Sequence, residues 1–261
     1  MPLCRIYNSR GVEVIRFHTD SYSGNHITVG RSSNCDICLK HLAETSISRT
    51  HFHLRRNAEG WSIHDTSRAG LVLDCAKVPS AKLLPGMVLR FGKFFFGFGE
   101  KAVPTPYRLN WTVPESGISE HGVLWPGKNS VGASNDNYVT VRIGHVARFH
   151  SFITVNGENV TLENINPLVV TLVNDLPLHG SQQLESGDVI TMAGFEVELE
   201  RIQPEMEIPV PASSFPAPAS PRRIKQEKLM ATMSMLLPLW VLLALGVLAL
   251  LAWLGMSLLP K

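Results

Sequence analysis

Two short segments in the amino-terminal part of the chain hold residue types that can bind an anion. Gly30 is followed by Arg31, and Ser48 is followed by Arg49. An arginine that projects from a loop offers a planar fork of donors, and a serine hydroxyl from another loop adds one more. A phosphomonoester carries about −1.5 to −2 charge at neutral pH, and arginine binds it through paired charge-assisted hydrogen bonds. If the fold joins the two segments, they predict a phosphate-binding site.

The elements that must position these loops read as short strands. Apolar residues alternate with polar ones at Phe52 and Leu54, at Trp61 and Ile63, and again from 87 to 91. Alternation of period two is typical of half-buried strands, and turn-forming clusters such as 8–11 and 57–60 separate them. No helical period stands out between Leu3 and Val103. Many short strands with regular turns predict an all-β sandwich.

A second copy of the same pattern follows the first. Val131-Gly132-Ala133 parallels Val29-Gly30-Arg31, and residues 146–150 parallel residues 47–51. We therefore expect two β-sandwiches in tandem, over 1–103 and 104–203. The second copy has Ala133 in place of Arg31 and Ala147 in place of Ser48. Without that cation and that hydroxyl, it is expected to be structural or to bind something unphosphorylated.

The order of these motifs resembles forkhead-associated (FHA) domains, small β-sandwiches that bind phosphothreonine. The pieces are Val29-Gly30-Arg31, Ser48-Arg49-x-His51, Asp65 and Gly70. The resemblance implies that residues 1–103 form an FHA domain and 104–203 a degenerate one. It also implies the phosphopeptide-binding residues, which are Arg31, Ser48, Arg49 and Arg68. The residues that it implies for shaping the recognition loops are Gly30, His51, Asp65 and Gly70.

Two details of these loops follow from the same resemblance. Gly30 and Gly70 are expected to adopt backbone conformations that other residues disfavour. Family members often place an asparagine before the second glycine, where it holds the backbone of the bound peptide. Ala69 stands there and cannot do so.

The sequence gives less support for metal binding, catalysis or nucleic-acid binding. Cys35, Cys38, His51 and His53 have zinc-ligating side chains, but the two cysteines flank a short strand and the resemblance gives His51 a bracing role. No phosphate loop of the GxxxxGK[ST] type and no nucleophile turn is present. We expect no cofactor, no metal and no enzymatic activity. The net charge of +2 gives no basic field for nucleic acid.

The carboxyl-terminal part has a different composition. Residues 204–228 form a proline-rich and then basic linker that ends in Arg222–Lys228, and no further charge appears before Lys261. The core 236–259 within the tail 229–261 is long and apolar enough to cross a bilayer as a helix. The basic cluster precedes it, so the positive-inside rule places both sandwiches in the cytoplasm. By family habit, a bacterial inner membrane is expected rather than an organelle surface.

These features support two functions of different classes. The first is a membrane-tethered adaptor that recruits Thr-phosphorylated proteins, the substrates of a Ser/Thr kinase, to the cytoplasmic face of a membrane. The second is a structural subunit of a membrane-embedded, secretion-ring-like assembly that uses its FHA-like domains for phosphate-independent contacts. A stripe of small residues also allows self-association within the membrane, through Gly246, Ala249, Ala252 and Gly255.

Overall fold

The computed structural model describes residues 2–42, 44–166 and 168–202, and all of them fall within one compact unit. Within these ranges, no helix has the length and apolar character needed to cross a bilayer. Several predictions fall outside the described residues: the linker, the membrane tail and its four small residues, at 204–228, 229–261, Gly246, Ala249, Ala252 and Gly255.

The first half of the described chain forms a β-sandwich of eleven strands. They are β1 (Leu3–Tyr7), β2 (Glu13–His18), β3 (His26–Gly30), β4 (Ile37–Cys38), β5 (Phe52–Asn57), β6 (Gly60–Asp65), β7 (Leu71–Leu73), β8 (Ala76–Val78), β9 (Ser80–Lys82), β10 (Val88–Phe91) and β11 (Phe94–Phe98). One sheet has the order β2-β1-β11-β10-β7-β8, and the other has the order β4-β3-β5-β6-β9. Two 3₁₀ turns interrupt the loops, at Thr19–Ser21 and Lys40–Leu42.

The second half repeats this arrangement strand for strand. Its strands are β12 (Tyr107–Thr112), β13 (Ser119–Val123), β14 (Gly127–Gly132), β15 (Val139–Thr140), β16 (Ser151–Asn156), β17 (Asn159–Asn164), β18 (Thr171–Val173), β19 (Leu176–Pro177), β20 (Ser181–Leu184), β21 (Val189–Met192) and β22 (Phe195–Arg201). The sheets run β13-β12-β22-β21-β18-β19 and β15-β14-β16-β17-β20. The predicted all-β tandem is therefore confirmed for the described residues.

Side-chain alternation explains why these segments are strands. In β5, Phe52 and Leu54 are buried, while His53 between them lies on the outer face. In β22, Phe195, Val197 and Leu199 are buried and the glutamates between them are exposed or half-buried. Successive side chains of a strand point to opposite faces, so each sheet buries one face in the core between the two sheets.

Strand β10 departs from this alternation, because all four of its residues are buried. The second sandwich covers its outer face. The Tyr138 hydroxyl lies 3.3 Å from the Val72 carbonyl oxygen and 3.4 Å from that of Val88. The Arg90 guanidinium donates to the Asn135 backbone carbonyl, and burial lowers the pKa of Arg90 to about 10. The two sandwiches are thus joined through a buried interface.

An aromatic group forms the centre of this interface. The Trp125 ring is fully buried, and its centroid lies 4.7 Å from that of Phe95 and 5.2 Å from that of Tyr7. Tilted and edge-to-face pairs at such distances add to the free energy gained by burying the rings. The second sandwich therefore contributes to the stability of the first.

Truncation of the central tryptophan tests this packing. Trp125→Ala is expected to lower the free energy of unfolding by about 3–5 kcal/mol, because it leaves a large cavity between the sandwiches. Equilibrium urea unfolding of the full chain measures the change. Ile118→Ala is the control, because that side chain is 60% exposed. Equal losses for the two variants would contradict the buried interface.

Candidate functional site

Main-chain hydrogen bonds bring the two predicted anion-binding segments together in the first sandwich. The Arg31 N–H donates to the Ser48 carbonyl at 3.0 Å, and the Ser32 N–H donates to the Arg49 carbonyl at 2.9 Å. Arg31 directly follows β3, and Ser48 lies in the loop that leads into β5. We call the end of a sandwich where these loops meet its recognition end.

Gly30 makes this close approach possible. A Cβ atom at this position would lie 2.3 Å from the Arg49 carbonyl oxygen, which leaves no room for any side chain. Its φ angle is not positive, so the prediction of a disfavoured conformation is wrong for Gly30, and close approach is the actual requirement. The same prediction is confirmed for Gly70, whose φ is +89°.

Ser48 is held by both neighbouring loops. Its N–H donates to His51 Nδ1 at 3.1 Å, and its Oγ accepts a hydrogen bond from the Arg68 N–H at 3.4 Å. Because Oγ acts as the acceptor in that bond, the hydroxyl hydrogen remains able to bind an incoming oxygen. Ser48 is half-buried, so its hydroxyl lies at the surface of the recognition end.

His51 braces the loops from the interior. It is fully buried, and its Nε2 makes no hydrogen bond with a described residue. Burial lowers the pKa of His51 to about 4, although the nearby Asp65 carboxylate and the Gly70 backbone oppose the shift. The ring is therefore neutral at physiological pH, and Nδ1 can accept the Ser48 N–H. The structure thus places His51 in contact with the loop that carries Ser48, where the family resemblance expects a bracing residue.

A compact turn shapes the loop between β6 and β7. Asp65 Oδ1 accepts the Ser67 N–H at 2.9 Å, and Ser67 Oγ accepts the Gly70 N–H at 2.8 Å. Sequence reasoning identified Asp65 and Gly70 but missed Ser67. The signal was present, because an aspartate two residues before a polar residue is typical of a side-chain-closed turn.

Three arginines lie in the loops that meet at Ser48. Arg31, Arg49 and Arg68 are all exposed. Within residues 2–42, 44–166 and 168–202, none of their guanidinium groups forms an ion pair or a hydrogen bond. Loops that carry three unpaired cations and one hydroxyl donor suit a dianionic ligand.

Cys35 and His53, two of the four residues considered for zinc, have other partners. The Cys35 thiol donates to the Arg49 carbonyl at 3.2 Å, and burial raises the pKa of this thiol. The His53 ring stacks on His26, with 4.7 Å between the centroids. In the part of the chain that the structure describes, no three His, Cys, Asp or Glu side chains are placed to hold a metal ion.

The second sandwich repeats the main-chain frame of this site. The Ala133 N–H donates to the Ala147 carbonyl at 2.9 Å, matching Arg31 and Ser48. The Ala147 N–H donates to His150 Nδ1 at 3.4 Å, and His150 is fully buried like its counterpart. Ala133 and Ala147 bear neither a cation nor a hydroxyl, so the frame persists without the groups that would bind a phosphate.

The buried His51 predicts a pH dependence of stability. Its pKa is lower in the folded chain than in the unfolded chain, so the unfolded chain binds more protons between about pH 6.5 and pH 4. The stability contribution of neutral His51 is therefore present above pH 6.5 and is lost as the pH falls towards 4. From pH 6.5 to pH 5 the loss is about 1.5 kcal/mol.

Urea unfolding at several pH values measures this loss. His51→Asn is expected to flatten the pH dependence by that amount. His41→Asn, at an exposed position, is the control and should leave it intact. If the free energy of unfolding of His51→Asn still fell with decreasing pH as steeply as that of the parent chain, His51 would not be the group responsible.

Comparisons with known proteins agree with this geometry. The FHA domain model matches residues 27–92 and 129–193, which together make up just over half of the chain. No curated protein matches it. Both matched regions contain the corresponding recognition loops.

Solved structures of single FHA domains are also similar. The FhaA FHA domain, crystallised with the intracellular domain of another protein, is 28% identical and covers 36% of this chain and 99% of its own, with a TM-score of 0.32. The FHA domain of CT664 from Chlamydia trachomatis is 16% identical, with 37% and 98% covered and a TM-score of 0.34. EmbR from Mycobacterium tuberculosis, solved with a low-affinity phosphopeptide, is 18% identical, with 38% and 26% covered and a TM-score of 0.32.

The family assignment rests on the two regions that the family model matches and not on these structural similarities. FHA domains are protein-interaction modules and not enzymes. The chain belongs to the FHA domain family.

Proposed function

We propose that the first sandwich is a receptor for phosphothreonine peptides and that the chain acts as a membrane-tethered adaptor. The observation that carries the proposal is the meeting of Arg31 and Ser48 at one recognition end. The Arg31 guanidinium has no ion-pair partner among the described residues, and the Ser48 hydroxyl hydrogen is free to donate. FHA domains generally bind phosphothreonine peptides, which identifies the ligand class.

The charges of the site favour the dianionic form of a phosphate. Two parallel N–H···O bonds from Arg31 can hold two phosphate oxygens, and the Ser48 hydroxyl can hold the third. Arg49 and Arg68 lie in the adjoining loops and add positive potential. Such charge-assisted hydrogen bonds contribute about 1.5–3 kcal/mol each.

The proposed tether lies in the carboxyl-terminal tail. Residues 236–259 would cross the membrane, and the basic cluster 222–228 would keep the sandwiches on the cytoplasmic side. Holding the receptor at a membrane raises its effective concentration for partners that are phosphorylated there by a Ser/Thr kinase. Self-association through the small residues of the tail would add a second binding unit.

Binding of a phosphothreonine peptide tests the receptor. Arg31→Ala is expected to weaken binding by about 100-fold or more, because the variant loses two charge-assisted hydrogen bonds. Ser48→Ala is expected to weaken binding by about tenfold, through the loss of one hydrogen bond. Isothermal titration calorimetry of the full chain measures both effects.

The matched control is Arg148→Ala, at the equivalent recognition end of the second sandwich, which should leave the affinity unchanged. The unphosphorylated peptide serves as the ligand control. Equal binding of the two peptides, or full affinity in Arg31→Ala, would remove the phosphate-reading role.

Membrane extraction tests the tether. The full chain is expected to stay in the membrane pellet after an alkaline carbonate wash, because an apolar helix of about 20 residues is not displaced by charge disruption. A chain ending at Lys228 is the control and should appear in the supernatant. Release of the full chain by the wash would refute the proposed anchor.

A further inference from the structure

The recognition end of the second sandwich has large apolar side chains at three positions where the first has none. At the positions equivalent to Thr50, Arg68 and Gly70 of the first sandwich, it has Phe149, Leu168 and Val170. These three side chains are 41%, 92% and 67% exposed. We call them the apolar loop surface.

Exposure of this kind is not evenly spread over the protein. Eight large apolar side chains are exposed among the described residues, and three of them form this surface. Scattered exposed apolar residues are normal, whereas grouping at one loop end is typical of an interaction site. The frame beneath is ordered, because the Ile165 N–H donates to the His150 carbonyl at 3.2 Å and the Ala193 N–H donates to the Val170 carbonyl at 3.3 Å.

The two recognition ends point to the same side of the molecule. Strand β7 leaves the recognition end at Gly70 and reaches its far turn at Cys75, whose thiol donates to the Lys128 carbonyl at 3.4 Å. Lys128 is at the far end of β14. Near the recognition end of the first sandwich, Lys77 of β8 lies opposite Val72 of β7. Its Nζ is 3.6 Å from Oδ1 of Asp136, which lies in the loop after β14 at the recognition end of the second sandwich. The far end of the first sandwich therefore contacts the far end of the second, and the recognition end of the first contacts the recognition end of the second.

The distance between the two ends is short. The Lys77 side chain packs against Gly70, since a Cβ atom there would lie 3.3 Å from Lys77 Cδ. The same side chain reaches Asp136, which is three residues from Ala133. These steps bound the Gly70–Ala133 separation at roughly 25 Å, which about seven extended residues can span.

We propose that the two recognition ends read one ligand, a partner segment with a phosphothreonine and an apolar side chain. The phosphothreonine binds the first sandwich at Arg31 and Ser48. The apolar side chain lies in the same segment, within about ten residues of the phosphothreonine, and packs on the apolar loop surface of the second sandwich. This inference rests on the proposed function and assigns the second sandwich a share in partner selection. Because the apolar loop surface and the phosphate site lie on the same side of the molecule at neighbouring recognition ends, one bound segment can reach both, which favours such a segment over an unrelated partner.

Synthetic peptides provide the probe. The set has a fixed central phosphothreonine and ten randomised positions on each side, and the full chain captures peptides from it. The sequence profile of captured peptides is expected to show leucine, isoleucine, valine or phenylalanine enriched at one position within the ten residues on either side of the phosphothreonine. A selected peptide is expected to bind about tenfold more tightly than its version with serine at that position, because one apolar side chain is buried.

The variant Leu168→Asp is expected to abolish the enrichment and the tenfold gain while it keeps phosphate-dependent binding. Leu168 is almost fully exposed, so this change does not disturb the core. Leu84→Asp is the matched control. Leu84 lies in the first sandwich and is 55% exposed, so this variant should behave like the parent chain.

The outcomes separate the two proposals. Phosphate-dependent capture without apolar enrichment, or enrichment that survives Leu168→Asp, would overturn the two-part ligand and leave the phosphothreonine receptor standing. Capture that ignores phosphorylation would overturn the receptor itself. Sedimentation equilibrium without peptide adds a further arm, and a dimer that Leu168→Asp dissociates would assign the apolar loop surface to a second copy and overturn the inference.

Discussion

The close approach of two main-chain segments is the constraint on which the recognition end depends. Gly30 lies against the Arg49 carbonyl at a distance that no side chain could tolerate. The hydrogen bonds of Arg31 and Ser32 to the opposite loop follow from that approach. They bring Arg31 and Ser48 to the same end of the sandwich through main-chain contacts. The Ser48 Oγ accepts the Arg68 N–H but keeps its own hydrogen for a ligand, and the Arg31 guanidinium has no ion-pair partner among the described residues.

The second sandwich shows that this frame and its ligand chemistry are separable. The same hydrogen bonds recur around Gly132, yet alanines replace the cation and the hydroxyl. Its loop 133–138 has another task, because Asn135, Asp136 and Tyr138 contact the outer face of β7, β8 and β10. The loop equivalent to the phosphate loop thus helps to hold the two sandwiches together. This role explains how the frame can persist without phosphate-binding residues.

The sequence predicted the fold better than it predicted the details of the site. Period-two alternation located strands such as β5 and β6, because each has one face in the core. It also located β10, but the prediction of half-burial is wrong there, because the second sandwich covers the outer face of that strand.

For the site, the resemblance to FHA domains indicated Arg31, Ser48, Asp65 and Gly70, and the structure places all four in the loops of one recognition end. The sequence analysis misjudged Gly30. From one sequence, a glycine needed because no side chain fits cannot be told apart from a glycine needed for a positive φ angle. The Arg68 N–H bond to Ser48 and the side-by-side recognition ends depend on contacts between segments far apart in the chain. No pattern in the sequence could have supplied either.

The protonation state of the bound phosphate tests the central claim most directly. If Arg31 and Ser48 bind the phosphate oxygens, they stabilise the dianion and lower the second pKa of the phosphothreonine below its usual value of about 6. Phosphorus NMR of a phosphothreonine peptide, titrated with acid in the presence of saturating full chain, reports this pKa. We expect a lowered pKa with the parent chain and a return towards the free-peptide value with Arg31→Ala. A phosphate whose pKa is unchanged or raised while the peptide is bound would contradict the account.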